Sequence, residues 1–298
     1  MSLARTFLVA VFVLLAQLVG AASVDAAIGY SSLVKDILKP VSYWRLGETS
    51  GATTAVDEMG NHDASYVASP TLGVPGLIDG DPDTAVRVDG STQYVDAGSP
   101  AGLEFGGALS VTAWIQPDAL PTGEGSFPGI AVVASQWYQS TAHDRFLFAL
   151  REGGNLGIVV EDNAAPGASS SLGTATMSPG ERHFVAFTWV DGSPGTAKLY
   201  FDGDLDPFSS VGANRPNTID TATSAHFRIG GQFSGYPANR AFEGIIDEVT
   251  VFDRELSPVE IRQLYTGIVP EPGSLGVWGL VGGVAVVWGM RRRRSARA

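Results

Sequence analysis

The chain has 298 residues, 44% of them hydrophobic, with 37 glycines, 17 prolines, no cysteine and a formal charge of −12. That length buries a full core and suits one large domain plus targeting segments, and the glycine and proline content calls for many turns. Lack of cysteine excludes disulfides, thiolate zinc sites and cysteine nucleophiles, and the acidity excludes nucleic acid as a partner. Six of the 19 basic residues but only two of the 31 acidic ones lie near the ends, so residues 28–270 carry −16, a surface suited to divalent cations.

Residues 1–26 have Arg5, an apolar run over 7–15 extended by Leu18 and Val19, and then small residues. This reads as a signal peptide for the Sec translocon, cut after Ala22 or Ala26; as an uncleaved anchor the run is short for a bilayer. Residues 31–38 place Leu33, Val34, Ile37 and Leu38 at helical spacing and stop at Lys39-Pro40, a short helix. Beyond it, short strands are predicted at 43–46, 64–68, 85–88, 94–97, 110–116, 130–135, 145–151, 156–161, 184–190, 197–201, 227–229 and 243–252. Asp202-Gly203 is a two-residue hairpin signal, and Asp89-Gly90 and Asp191-Gly192 can act similarly with longer loops. The stretches 116–129, 162–180, 209–225 and 232–240 read as polar loops.

The last strand is predicted to alternate, with Ile246, Glu248, Thr250 and Phe252 on one side and Ile245, Asp247, Val249 and Val251 on the other. Ser257, Pro258 and Glu260 then form a capping box, Leu256 can staple against Ile261, and a helix follows with Ile261, Leu264 and Tyr265 on one stripe. Gly267 and Pro270 end it. The tail combines Pro270-Glu271-Pro272, an apolar run over 275–290 long enough to cross a thin bilayer, and Arg291, Arg292, Arg293 and Arg294, which hold the far end in the cytoplasm.

Two resemblances rest on these residues. The Gly-Ile-Ile-Asp-Glu-Val strand from Gly244 with the Leu-Ser-Pro-Val-Glu-Ile helix start, and Pro-Val-Ser-Tyr-Trp-Arg-Leu with Glu-Thr-Ser-Gly near the N-terminus, resemble both ends of the laminin-G-like domains of concanavalin A type. Arg182-His183 stands where that family usually has Trp-His. The resemblance implies an all-β fold, an antiparallel two-sheet jelly-roll sandwich over 27–266 with short N- and C-terminal helices, and the apolar run over 275–290 adds a C-terminal transmembrane helix. Residues 267–298 are similar to the PEP-CTERM sorting signal, which implies an exosortase as processing partner, with a plain tail anchor as the other reading. The expected route is export, a transient inner-membrane anchor, and final placement on the cell surface or in extracellular matrix.

Three kinds of chemistry are open. Glu48, Asp57, Asn61 and Asp247 are candidate ligands for a structural Ca²⁺, which relatives with this sandwich often hold; alternatively Asp57 and Asn61 only bond their own turn and Asp247 caps a backbone group. Trp137, Tyr138, Phe233 and Tyr236, with Asp144, Asn239 and Arg240 nearby, are candidates for binding a glycan or surface protein, or for anchoring their own loops. Catalysis lacks its motifs: no Glu-x-Asp-x-x-Glu run occurs, and Asp247 and Glu248, adjacent on a strand, are expected to point to opposite faces. The expectation is a non-catalytic exported protein that binds glycan or protein, with a purely structural matrix protein, or a glycoside hydrolase or lyase on the same sandwich, as alternatives.

Overall fold

Residues from both ends of the body meet on one strand. The computed structural model describes residues 29–99, 102–123, 129–137, 144–161, 169–211, 216–221, 225–231 and 240–268. The expected signal peptide and nearly all of the sorting segment lie outside these. Among the described residues no helix is long and apolar enough to cross a membrane, and the predicted span at 275–290 falls outside them.

A helical segment α1 (Tyr30–Ser32) opens the unit and continues as π turns over Leu33–Leu38. Strands then follow: β1 (Ser42–Trp44), β2 (Thr54–Ala55), β3 (Ala64–Val67), β4 (Thr71–Pro75), β5 (Thr84–Asp89), β6 (Tyr94–Asp96), β7 (Ala108–Pro117) and β8 (Ile130–Gln136). After them come β9 (Phe146–Arg151), β10 (Asn155–Val160), β11 (Ser169–Thr176), β12 (His183–Val190), β13 (Thr196–Phe201), β14 (Asp204–Asp206) and β15 (Phe208–Val211). The described chain closes with β16 (Phe227–Ile229), β17 (Glu243–Phe252) and helix α2 (Pro258–Thr266).

The strands form two antiparallel sheets. The first runs β14-β13-β12-β7-β17-β5-β4, with β1 also on β17; the second runs β15-β11-β10-β9-β8-β16-β6-β3-β2. On the side of β17 away from β7, its first half pairs with β5 and its second half with β1, Trp44 opposite Val249. The core lies between the sheets and is built from aromatic contacts across them. Trp44 stacks on Phe227 at 5.3 Å, and Phe187 meets Phe146 and Phe148 at 5.1 and 5.3 Å. Each fully buried side chain of this size is worth about 2–3 kcal/mol relative to an exposed one.

Several local expectations hold. Asp202 and Gly203 both have positive φ, 48° and 81°, as a two-residue primed turn requires, and join β13 to β14. Ser257 accepts from Glu260 N–H while the Glu260 carboxylate accepts from Ser257 N–H, completing the capping box of α2.

Others are corrected. Residues 162–180 are not all loop: β11 crosses them, polar because it is stitched by Asp206, whose carboxylate accepts from Thr174 N–H, Thr174 Oγ1 and Ala175 N–H. Residues 209–225 begin inside β15. Asp89-Gly90 makes a corner between sheets rather than a hairpin, since β5 and β6 lie in different sheets and Asp89 Oδ1 accepts from the N–H groups of Ser91, Thr92 and Gln93. The N-terminal helix widens to π turns, which bury Leu33, Val34 and Leu38 but leave Ile37 exposed.

The alternation of β17 also fails, at one residue. Glu248 has φ 53°, and the register against β7 shifts between Asp247 and Thr250. This bulge changes parity, so that Ile246 before it and Val249 and Val251 after it all face the inter-sheet core.

Candidate functional site

Because of that bulge, Asp247 and Glu248 both point to the outer side of the first sheet, contrary to the expectation of opposite faces. Asp247 Oδ2 accepts from Leu77 N–H at 2.8 Å; Glu248 accepts from Tyr43 Oη through one oxygen and from Arg45 Nε, at 3.1 Å, through the other. Arg45 also pairs with Asp81 and Asp83 at 3.0 and 2.9 Å. Burial first, and then neighbouring carboxylates, raise both acids well above the ordinary carboxylate range, with Arg45 acting the other way. Asp247 Oδ1, Trp114 Nε1 and Tyr30 Oη are buried here without hydrogen-bond partners, and Trp114 lies directly opposite Asp247 on β7.

This cluster could exchange protons, but Asp247 and Glu248 are 2% and 1% exposed. A general acid must touch its substrate, and these two are sealed. Their partners come from Tyr43 of β1, Arg45 just after it and Leu77 in the turn at 76–83, so the cluster locks the start of the body to its last strand.

The four residues suggested for calcium do not share one oxygen shell. Asp57 spends both oxygens on backbone donors, Oδ1 on Tyr43 and Met59, Oδ2 on Asn61 and His62. Asn61 Nδ2 donates to Val41 O, and Glu48 accepts from Val56 N–H and Tyr66 Oη. Asp247 sits instead beside Leu77 and Arg45. Among the described residues no group of three or more His, Cys, Asp or Glu is arranged to hold a metal ion, and Glu48, Asp57, Asn61 and Asp247 are engaged with separate partners.

The second region is the outer face of the second sheet. Register places Ile130, Val132, Leu147 and Ala149 there, opposite in direction to the core residues Phe146, Phe148 and Leu150. These four form a separate buried apolar cluster, against which Trp137 and Val159 pack, both only partly buried. The four are at most 7% exposed, so this apolar part of the face is already covered, and Trp137 and Val159 are its partly open members.

Polar groups flank the cluster. Arg228, in register with Ser135 and Asp96, lies over the Tyr94 ring at 5.1 Å and pairs with Asp96 at 3.2 Å. His226 Nδ1 lies 2.8 Å from the other Asp96 oxygen, and Ser135 Oγ is buried without a partner. Arg240 joins the same sheet through the bridge between Val132 and Ala241, and Asp144 precedes β9. Of the aromatic residues singled out in the sequence, Trp137 is thus placed on this face; Tyr138, Phe233 and Tyr236 lie outside the described residues, as does Asn239.

Sequence reasoning missed Tyr94, Arg228 and Asp96, which read as ordinary strand residues until pairing sets them side by side. It also missed Arg145, fully buried, whose guanidinium donates to the carbonyls of Leu103, Phe105 and Asp220 and to Gln136 Oε1. Burial pushes that group down to about 10.

Solved structures share the architecture at low identity. Domain 4 of AbnA, a GH43 extracellular arabinanase from Geobacillus stearothermophilus solved with arabinotriose, is 18% identical with a TM-score of 0.51, covering 76% of this chain and 98% of that one. The binding domain of Paraclostridial Mosquitocidal Protein 1 gives 14% and 0.55, over 76% of this chain and 52% of that one. A mutant of Trypanosoma rangeli sialidase displaying trans-sialidase activity gives 17% and 0.53, over 80% of this chain but 36% of that one. Such identities speak to fold alone. No curated protein matches the chain by sequence. Residues 89–262, more than half of the chain, match the family described as the concanavalin A-like lectin/glucanases superfamily. The two antiparallel sheets agree with that match, and the chain belongs to this superfamily.

Proposed function

We propose that the chain is an exported, non-catalytic carbohydrate-binding protein whose glycan docks on the outer face of the second sheet beside Trp137. The observation that carries this reading is the partly exposed Trp137 packed on an outward apolar cluster, with Tyr94, Arg228, Asp96 and His226 on or beside the same sheet. Sugar sites combine an aromatic surface with a few oriented polar groups, and this face supplies both. The sealed state of Asp247 and Glu248 argues against their use as a hydrolytic pair.

Delivery would follow the sequence: residues 1–26 engage the Sec translocon, and residues 267–298 anchor the chain until an exosortase releases it to the surface or matrix. A glycan array spanning bacterial and plant polysaccharides tests the binding. Retention of specific glycans by the wild type and their loss in Trp137→Ala support the reading. A blank array favours the purely structural matrix role instead.

A further inference from the structure

Both ends of the body lie on the outer side of the first sheet. Trp114 and its β12 neighbour Phe184 point there, away from the inter-sheet core that Ala113, Ile115 and Val185 enter. Helix α2 covers them: Tyr265 stacks on Trp114 at 5.8 Å, with the Phe184 ring at 6.4 Å. The N-terminal segment packs beside that helix. Leu38 O accepts from Arg254 Nη2 at 3.2 Å, and a Cβ built on Gly267, the left-handed cap of α2, would stand 3.9 Å from Tyr30 Cδ2. Tyr30 and Gly267, the first and last residues of the compact unit, are therefore neighbours.

The face beside Trp137 looks the other way. Across the second sheet, Ser65, Asp96, Arg228, Ser135 and Leu147 follow one another in register, while Tyr66, Val95 and Phe227 beside them enter the core. Two sheets packed about 10 Å apart thus stand between this row and the two ends. In the sequence, seven residues, 268–274, separate Gly267 from the apolar run that begins at Leu275, a reach of at most about 25 Å when fully extended. Two of the seven are prolines, which stiffen such a link.

We propose that the chain binds polysaccharide while it is still tethered, because the tether leaves from one side of the sandwich and the glycan face lies on the other. Until release, the protein links polysaccharide to the membrane surface. The proposal rests on the carbohydrate reading and the sorting route above, and adds the stage at which binding begins. A tether leaving beside Trp137 would press that face to the lipid, whereas a short link from the end of α2 leaves it open. Tethering also favours capture, since copies held on one surface engage a repeating polymer at several points together.

The test compares the full-length chain in vesicles of phosphatidylethanolamine and phosphatidylglycerol, body outside, with the same chain in detergent micelles. The probes are soluble arabinan, xylan, dextran and polygalacturonate. Each polysaccharide bound in micelles should be bound on vesicles equally or more tightly, by about 10-fold where several copies engage one polymer. Trp137→Ala should lose the binding in both settings. The chain has no cysteine, so Ser65→Cys gives a readout that needs no glycan: a bulky water-soluble maleimide should label this exposed position at the same rate in micelles and on vesicles. Binding that weakens about 10-fold or more on vesicles, or labelling slowed to that extent, overturns the proposal and leaves the carbohydrate reading standing. A panel blank in both settings removes both.

Discussion

Asp247 and Glu248 are sequence neighbours on β17, yet both side chains leave the same side of the sheet, because Glu248 adopts φ 53° at a bulge. The consequence is a sealed cluster that ties the start of the body, through Tyr43 and Arg45, to its last strand. Arg45 offsets part of the cost of burying two acids by facing Glu248, Asp81 and Asp83 together.

Stability is therefore expected to fall as pH rises. Both carboxyls have folded values raised above their ordinary 3.8 and 4.5, chiefly by burial. The folded state binds their protons more tightly than the unfolded state does. Their contribution is complete below the ordinary values and is lost as pH climbs through the raised ones, a window of about pH 5 to about pH 8. Thermal midpoints across that window should decline in the wild type by several degrees more than in the Asp247→Asn, Glu248→Gln double variant. Parallel curves for the two proteins would show that the pair does not titrate in this way.

Arg145 is expected to be worth more to stability than any exposed ion pair of the molecule. It closes one end of the sandwich by donating to three carbonyls and Gln136, and Arg145→Met leaves those acceptors buried and unpaired. The loss should reach about 3 kcal/mol or more in urea unfolding, with Arg145→Lys recovering only part because an ammonium cannot span the same acceptors. By comparison, Arg262→Gln, which removes an exposed pair with Asp204, should change stability by less than about 1 kcal/mol.

Asp57 should behave as a turn lock and not as a metal ligand. Its two oxygens serve four backbone donors, so Asp57→Asn, which turns one acceptor into a donor, should cost about 2 kcal/mol. Millimolar Ca²⁺ should leave the thermal midpoint of wild type and variant unchanged. A calcium-dependent rise that Asp57→Asn abolishes would restore the ion to this loop.

Most of the framework was legible because it depends on local signals. Alternating apolar runs mark the strands from β7 to β10, Asp202-Gly203 marks its hairpin, and Ser257 with Glu260 marks the start of α2. The motif pair around Trp44 and Ile246 pointed to strands that belong together, and β1 does pair with β17. What escaped depends on partners far away in the chain. β11 is too polar to announce itself; it is a strand because β10 and β15 pair with it, and Asp206 bonds its end. The bulge at Glu248 is a single positive φ with no sequence mark, since the residue is not glycine.

The central claim is that glycan binds the outer face of the second sheet, and mapping the contact tests it most directly. Backbone and indole NMR shifts of the full-length chain, followed during titration with an oligosaccharide retained on the array, should move first at Trp137, Leu147, Val159 and Arg228. Shifts confined instead to the first sheet, around Trp114, Arg182 and Tyr265, would contradict the account.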